Sequence, residues 1–254
     1  MMEQEVAHSC CNYLYNDDSS NEAPDTCIAP ICHRITEDDR SKIVDWCYSI
    51  IDLCQLDRES VAMTMNIVDR FMSNPRRLPS IGISQHFSHH DILHDRIKYQ
   101  LLAVSALYIS VKVNEQVTLS SGKLAAMSRG VYSKENIEAM ERTILECLSW
   151  RVCAPTAFQV GSVILELMIA KVQVADVSAM DVRSWESIRQ ELSYQTELAV
   201  RDYQLSLQPP ITVAFMAIIN AFETDRKVND CMRELLMRVL IDILQQVNSL
   251  AHDV

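Results

Sequence analysis

The segment LLAVSALYISV, residues 101–111, is apolar or small at nearly every position and lacks the polar face that a surface helix presents to water. A helix that is apolar all round has to lie at the centre of a bundle, wrapped by helices that are apolar on one side only. A second segment of this kind, PPITVAFMAIINAF, occupies 209–222. Each follows an amphipathic stretch with a charged pair near its end, NIVDRFM at 66–72 and LAVRDYQL at 198–205. The chain therefore reads as all-α, an internal repeat of two helical bundles, with no strand-type alternation competing with the helical spacing.

The helix boundaries follow from caps and spacing. Thr36 with Asp39 three residues on forms a capping-box start, and Ile43, Val44, Cys47, Ile50, Ile51 and Cys54 then predict a helix over about 37–54. Asp57 can cap a second, about 58–73, and further helices are predicted over about 95–112, 119–128 and from behind Ser133 to about 148. After the break at Ala154-Pro155 come helices over about 156–172, 184–204, 209–223 and 228–249. Residues 1–35, rich in Asn, Asp, Ser and Pro without periodicity, read as a mobile polar tail. Residues 36–153 then hold the first bundle, with a His-rich insertion at about 74–95, and 154–254 the second.

Composition removes several function classes. The formal charge of −11 opposes a duplex phosphate backbone. Gly122-Lys123 lacks the earlier glycine of a phosphate-binding loop, and no apolar run reaches membrane-spanning length. Nine scattered cysteines suit a reducing compartment, and Cys27, Cys32 and His33 lack a second ligand pair at zinc spacing. No cofactor, nucleic acid or membrane partner is expected.

Four charges stand where core residues should. Arg40 lies in the first turn of its helix, where the macrodipole disfavours cations, on the side that continues as Ile43, Val44 and Cys47. Asp69 borders the apolar face of the next helix, between Met65 and Met72, so the two read either as solvated charges or as a buried pair. Glu141 interrupts the stripe formed by Ile137, Leu145 and Leu148. Lys112 closes the apolar run, where a C-terminal cation with a snorkelling stem is also an ordinary choice.

These stretches together resemble the cyclin box: RSKIVDW (40–46), MNIVDRFMS (65–73), QLLAVSALYISVKVNE (100–115), YSKENIEAMERTILECLSW (132–150) and the Pro-Thr at 155–156. The family's recurrent Arg, Asp, Leu, Lys and Glu match Arg40, Asp69, Leu101, Lys112 and Glu141. The region 191–223 is similar to the family's C-terminal repeat. The resemblance implies two consecutive cyclin-type five-helix bundles, the second abbreviated for want of room before its last helix. It further implies a non-catalytic regulatory subunit that binds and activates a cyclin-dependent serine/threonine protein kinase in cell-cycle control, in nucleus and cytoplasm. Lys112 and Glu141 would then centre a surface gripping the kinase's mobile C-helix, with Leu145 and Trp150 as apolar contacts, Arg40–Asp69 as a structural ion pair and Leu101 in the core.

The sequence departs from the family pattern in places. Asp39 and Lys42 stand at positions that are apolar in cyclins with a substrate-docking patch, leaving Ile43, Trp46 and Gln100 as its remnant; kinase substrates or inhibitors are the partners such a patch would take. Residues 1–39 hold neither an Arg-x-x-Leu destruction box nor a Leu-x-Cys-x-Glu motif, and LSWRVCAPT has a D-type flavour, so the subclass stays open. In the insertion, His86, His90 and His94 would share a helical face suited to zinc if that segment were helical; a solvated loop is the competing reading. Two other functions compete: a transcription-associated cyclin-like protein and a helical scaffold without a kinase partner.

Overall fold

The computed structural model describes residues 10, 12–15, 34–74, 89–116, 119–174, 182–225, 228 and 230–252. Among them all regular structure is helical: α1 (Glu37–Cys54), α2 (Glu59–Met72), α3 (His89–Leu93), α4 (Arg96–Asn114), α5 (Ser121–Met127), α6 (Lys134–Cys147), α7 (Ala157–Val174), α8 (Val182–Arg201), α9 (Tyr203–Ser206), α10 (Pro210–Thr224) and α11 (Asp230–His252). The chain divides into two compact units. One comprises the described residues up to 154 together with 200–207; the other comprises those of 155–199 and 208–252.

In the first unit the apolar run becomes α4, which packs against α1, α2, α3, α5 and α6. Leu102, Ala103, Val104, Ala106, Leu107 and Val111 are fully enclosed, and Leu101 is 5% exposed. The surrounding helices start where local chemistry satisfies their free amides. Thr36 and Asp39 cap each other at α1, Ser133 and Asn136 do so at α6, and Asp95 accepts from Ile97 N and Lys98 N at α4. For α2 part of the start comes from another helix: the Glu115 carboxylate, just past α4, accepts from Asp57 N at 2.8 Å and Ser60 Oγ at 3.0 Å.

Arg40 and Asp69 meet in the interior of this unit. Arg40 Nη2 lies 2.7 Å from Asp69 Oδ2 and Arg40 Nε 3.1 Å from Oδ1, a bidentate pair whose side chains are 1% and 2% exposed. Each group also has a further partner. Arg40 Nη1 donates to Val200 O at 2.8 Å, and the Tyr13 hydroxyl donates to Asp69 Oδ1 at 2.8 Å. Burial opposes the Arg40 charge, but Asp69 more than offsets it and raises the guanidinium above its ordinary value. Burial and the Asp69 charge push the Tyr13 phenol up, so it stays a proton donor.

Around this pair, segments distant in sequence converge. Tyr13 stacks edge-on against Tyr203 with ring centroids 5.3 Å apart, Leu14 N donates to the Tyr203 hydroxyl, and the Tyr15 hydroxyl donates to Glu37 at 2.8 Å. Burial pushes Tyr203 up to about 12. Elsewhere on α1, the buried Tyr48 ring is faced by Arg58 and Arg201, which pair with Asp52 and Asp45. Two sequence expectations need correction here. Tyr13 and Leu14, assigned to a mobile tail, are 4% and 6% exposed and part of the core; most of residues 1–35 lie outside the described residues. Residues 200–207 belong to the first unit, although the sequence division at 154 places them in the second.

The second unit contains α7, α10 and α11 packed on one another, with Ile188 and Leu192 of α8 in the same core. Gly161 of α7 sits where an added Cβ would come within 2.9 Å of Leu192, a close approach of α7 to α8 that this glycine permits. The four long helices of this unit leave α10 incompletely covered among the described residues: Met216 is 51% exposed, and Phe215 and Ile219 are half-buried.

Because removing one partner strands a buried charge, Arg40→Ala should cost about 3–5 kcal/mol in chemical unfolding of the full chain. Tyr13→Phe removes only the hydroxyl, a hydrogen bond to a charged acceptor, and should cost about 1.5–3 kcal/mol. Unchanged midpoints for both would show that the pair does not hold the unit together.

Candidate functional site

Lys112 occupies the last turn of α4, where the helix leaves the core: Val111 is fully buried and Val113 is 46% exposed. Its ammonium donates to Glu141 Oε1 of α6 at 2.7 Å and lies 4.3 Å from the centroid of the Tyr108 ring, one turn earlier on α4. The packing of α4 on α6 brings these residues together from 29 positions apart. Glu141 sits between buried Ile137 and half-buried Leu145, so its carboxylate is set into the edge of an apolar stripe and only 16% exposed, against 43% for the lysine.

Partial burial works against the Lys112 charge; the Glu141 hydrogen bond and charge, helped by Tyr108, outweigh it and raise the ammonium above its ordinary value. A folded-state value that is raised means the lysine's contribution to stability is complete at neutral pH and fades only as pH climbs through the raised value. A pair this open to solvent contributes about 0–1 kcal/mol, since water screens it and two long side chains lose freedom. Stability alone therefore does not account for a carboxylate placed on an apolar stripe.

Trp150, just beyond α6, is 70% exposed. Ser149 and Trp150 both take left-handed backbone angles, φ 52° and 63°, and their amides close the helix end on Glu146 O and Leu145 O at 3.1 and 2.8 Å. That conformation costs a side-chain-bearing residue about 1–2 kcal/mol. A large indole held in water on such a backbone is the least explained apolar group of this face if no partner covers it. Tyr108 and Val113 belong to the same neighbourhood and escape a reading that looks only for charges; the signal for Tyr108 is its position four residues before Lys112.

The remaining predicted positions distribute differently. Ile43 is in the core, Trp46 packs half-buried against it, and Gln100 Oε1 lies 3.1 Å from the Tyr132 hydroxyl. Asp39 is turned inward, 8% exposed, capping α1 through Thr36 and paired with Arg96 Nε at 3.0 Å. Burial opposes its ionised form, and the Thr36 hydrogen bonds and Arg96 outweigh it and hold the carboxyl below its ordinary value. Lys42 is exposed and bonded to Asp38. A docking patch in this place would thus be polar on the α1 side.

The insertion is not loop throughout. α3 closes it, with Ile92 fully buried and Leu93 accepting from Ile35 N at 2.8 Å. The helix stops at Leu93, so His94 does not share a helical face with His90; His86 and the side chain of His90 lie outside the described residues. Among the described residues no group of His, Cys, Asp or Glu could hold a metal ion, and no helix is long and apolar enough to cross a membrane.

The family model for the cyclin N-terminal domain matches residues 9–153. The chain is 26% identical over 188 residues to the G2/mitotic-specific cyclin S13-7 of Glycine max, an alignment covering 74% of this chain and 61% of that protein. It is 29% identical over 195 residues to Cyclin-B1-1 of Arabidopsis thaliana, covering 76% of this chain and 38% of the relative. The chain thus spans less than two thirds of the length of these relatives. The crystal structure of a viral cyclin from herpesvirus saimiri superposes with a TM-score of 0.56 at 15% identity, over 83% of this chain and 86% of that one.

Lys112→Ala should lower unfolding stability by less than about 1 kcal/mol, equally at pH 7 and pH 9. A loss as large as that of Arg40→Ala would show the surface pair to be structural after all.

Proposed function

Because the chain belongs to the cyclin family, we propose that it is the non-catalytic regulatory subunit of a cyclin-dependent serine/threonine protein kinase. The observation that carries this reading is the Lys112–Glu141 pair, a charged couple at the joint of α4 and α6 that contributes little to stability yet is set into apolar surface. Charges of that kind give register to an interface whose affinity comes from apolar anchors. Half-buried Leu145 and exposed Trp150, on and just after the same helix, have the chemistry of such anchors.

The partner is a kinase whose mobile C-helix must be held inward for its catalytic lysine–glutamate pair to form, the arrangement on which phosphoryl transfer depends. This chain supplies no reacting group; it supplies the surface that stabilises that helix position, a shift of a kinase equilibrium by differential binding. The names of the relatives favour the mitotic subclass. On this reading the protein works in nucleus and cytoplasm, where its kinase acts.

Wild-type protein used as bait in extract should recover a kinase that phosphorylates histone, whereas Lys112→Ala and Glu141→Ala should lose at least about tenfold in recovery, roughly 1.4 kcal/mol of binding. Their melting midpoints should stay near wild type. Equal recovery by all three proteins would overturn the reading.

A further inference from the structure

Residues 12–15 form a short strap over the Arg40–Asp69 pair, and its aromatic and aliphatic side chains are not equally enclosed. Tyr13 and Leu14 are buried, whereas Tyr15 is 59% exposed. The Tyr15 hydroxyl nevertheless has a definite partner, donating to Glu37 Oε1 at the start of α1 at 2.8 Å. The same oxygen accepts from Gln204 Nε2 at 3.2 Å, and the Tyr15 ring lies 6.4 Å from that of Tyr203. One carboxylate thus fastens both the strap and residues 200–207 to α1. The hydrogen bond to Glu37 holds the Tyr15 phenol above its ordinary value, so in this contact it is the proton donor.

That contact holds only while the phenol keeps its proton. A phosphate on the same oxygen removes the donor, brings a charge of about −1.5 to −2 at neutral pH and turns acceptor oxygens toward a carboxylate. The start of α1 is a poor refuge for it, because Glu37, Asp38 and Asp39 already stand in the first turn and Thr36 and Asp39 cap each other. Nearby cations are engaged: Lys42 with Asp38, Arg96 with Asp39, and Arg34 with the Tyr13 carbonyl at 3.4 Å. Residues 1–33 contain no lysine or arginine, and Asp17 and Asp18 follow Tyr15 closely. Displacing Tyr15 also pulls on its two chain neighbours. Leu14 N donates to the Tyr203 hydroxyl at 3.2 Å, and the Tyr13 hydroxyl donates to Asp69 at 2.8 Å.

We propose that Tyr15 is a phosphorylation site whose phosphate, repelled by Glu37, lifts residues 12–15 off the Arg40–Asp69 pair. The modification moves the γ-phosphoryl group of ATP to the phenol oxygen. An O–P bond forms there, the bond to the β-phosphate oxygen breaks, ADP leaves, and the phenol proton passes to the modifying kinase's base. The acidic residues after Tyr15 suit a tyrosine-directed kinase with a basic substrate cleft. Lifting the strap takes a hydroxyl away from a buried carboxylate, so the change at an exposed residue is felt in the interior of the first unit. This inference stands apart from the kinase docking proposed above and does not depend on it.

The full chain is treated with a recombinant tyrosine kinase, ATP and magnesium, and mass spectrometry locates the phosphate. Tyr15 should carry it, and Tyr15→Phe should lose most of the incorporation; equal incorporation by the two proteins overturns the site. Phosphorylation should lower the wild-type melting midpoint by about 2–6 °C and speed hydrogen exchange at the Leu14 amide about tenfold. Tyr15→Phe, which gives up only an exposed hydrogen bond, should melt near the unmodified wild type. In Tyr13→Phe, whose strap has already lost its bond to Asp69, phosphorylation should move the midpoint less than it does in wild type. An unchanged or raised midpoint, as capture of the phosphate by Arg34 would give, overturns the release of the strap. A shift in Tyr13→Phe equal to that in wild type overturns it as well, since the phosphate would then act at the surface alone.

Discussion

The first unit depends on one buried ion pair. Moving Arg40 and Asp69 out of water costs several kcal/mol per ion, and their attraction offsets this only if the other donors and lone pairs are filled as well. Here two such partners come from elsewhere in the chain: Tyr13 from the N-terminal segment donates to the carboxylate, and the Val200 carbonyl accepts from the guanidinium. Four segments, α1, α2, residues 12–15 and residues 200–203, therefore have to be in place together. A pair of apolar residues of equal volume would bury as well, but it would not require any particular tyrosine or carbonyl. The ion pair thus acts more as a condition on assembly than as a source of net stability.

The Lys112–Glu141 pair obeys different physics with the same chemistry. Both pairs join helices 29 residues apart in sequence, Arg40 to Asp69 and Lys112 to Glu141. One has side chains 1% and 2% exposed, the other 43% and 16%. Screening makes the second nearly neutral for folding, so the core has no use for it, and a lysine at the end of the most apolar helix would be as stable with any neighbour. The position of Glu141, on a stripe that otherwise reads Ile137, Leu145 and Leu148, is therefore not accounted for by the stability of the fold.

The helices were legible because caps and spacing agree. Thr36 with Asp39 starts α1 where the apolar period begins, and α4 is central because no side of it could face water. Arg40 and Asp69 could be suspected as a pair because each violates its local pattern. Other features were hidden by their context. Tyr13, Leu14 and Tyr15 form an aromatic–aliphatic triplet inside a polar tail, and composition averaged over the tail outweighs three residues; their partner Tyr203 lies 190 positions on from Tyr13. Ile92 and Leu93 were masked in the same way by the histidines around them. Asp39 carried a docking significance by its place in the family pattern; its cap to Thr36 was legible, but its salt bridge to Arg96, 57 residues on, was not, and together they occupy the carboxylate.

Arg70 was legible only as the unremarkable cation at the end of α2, and its setting gives it another meaning. It is the chain neighbour of Asp69, on the same helix, in the same packed unit, and yet the two residues solve burial in opposite ways. Asp69 gathers its counter-charge and a hydroxyl from inside the protein; Arg70, among the described residues, meets the Asn66 amide oxygen at the limit of bonding. A sequence records both as charges on one amphipathic helix. What separates them, among the described residues, is the set of groups that folding brings to each, and one amphipathic helix pattern does not encode that difference.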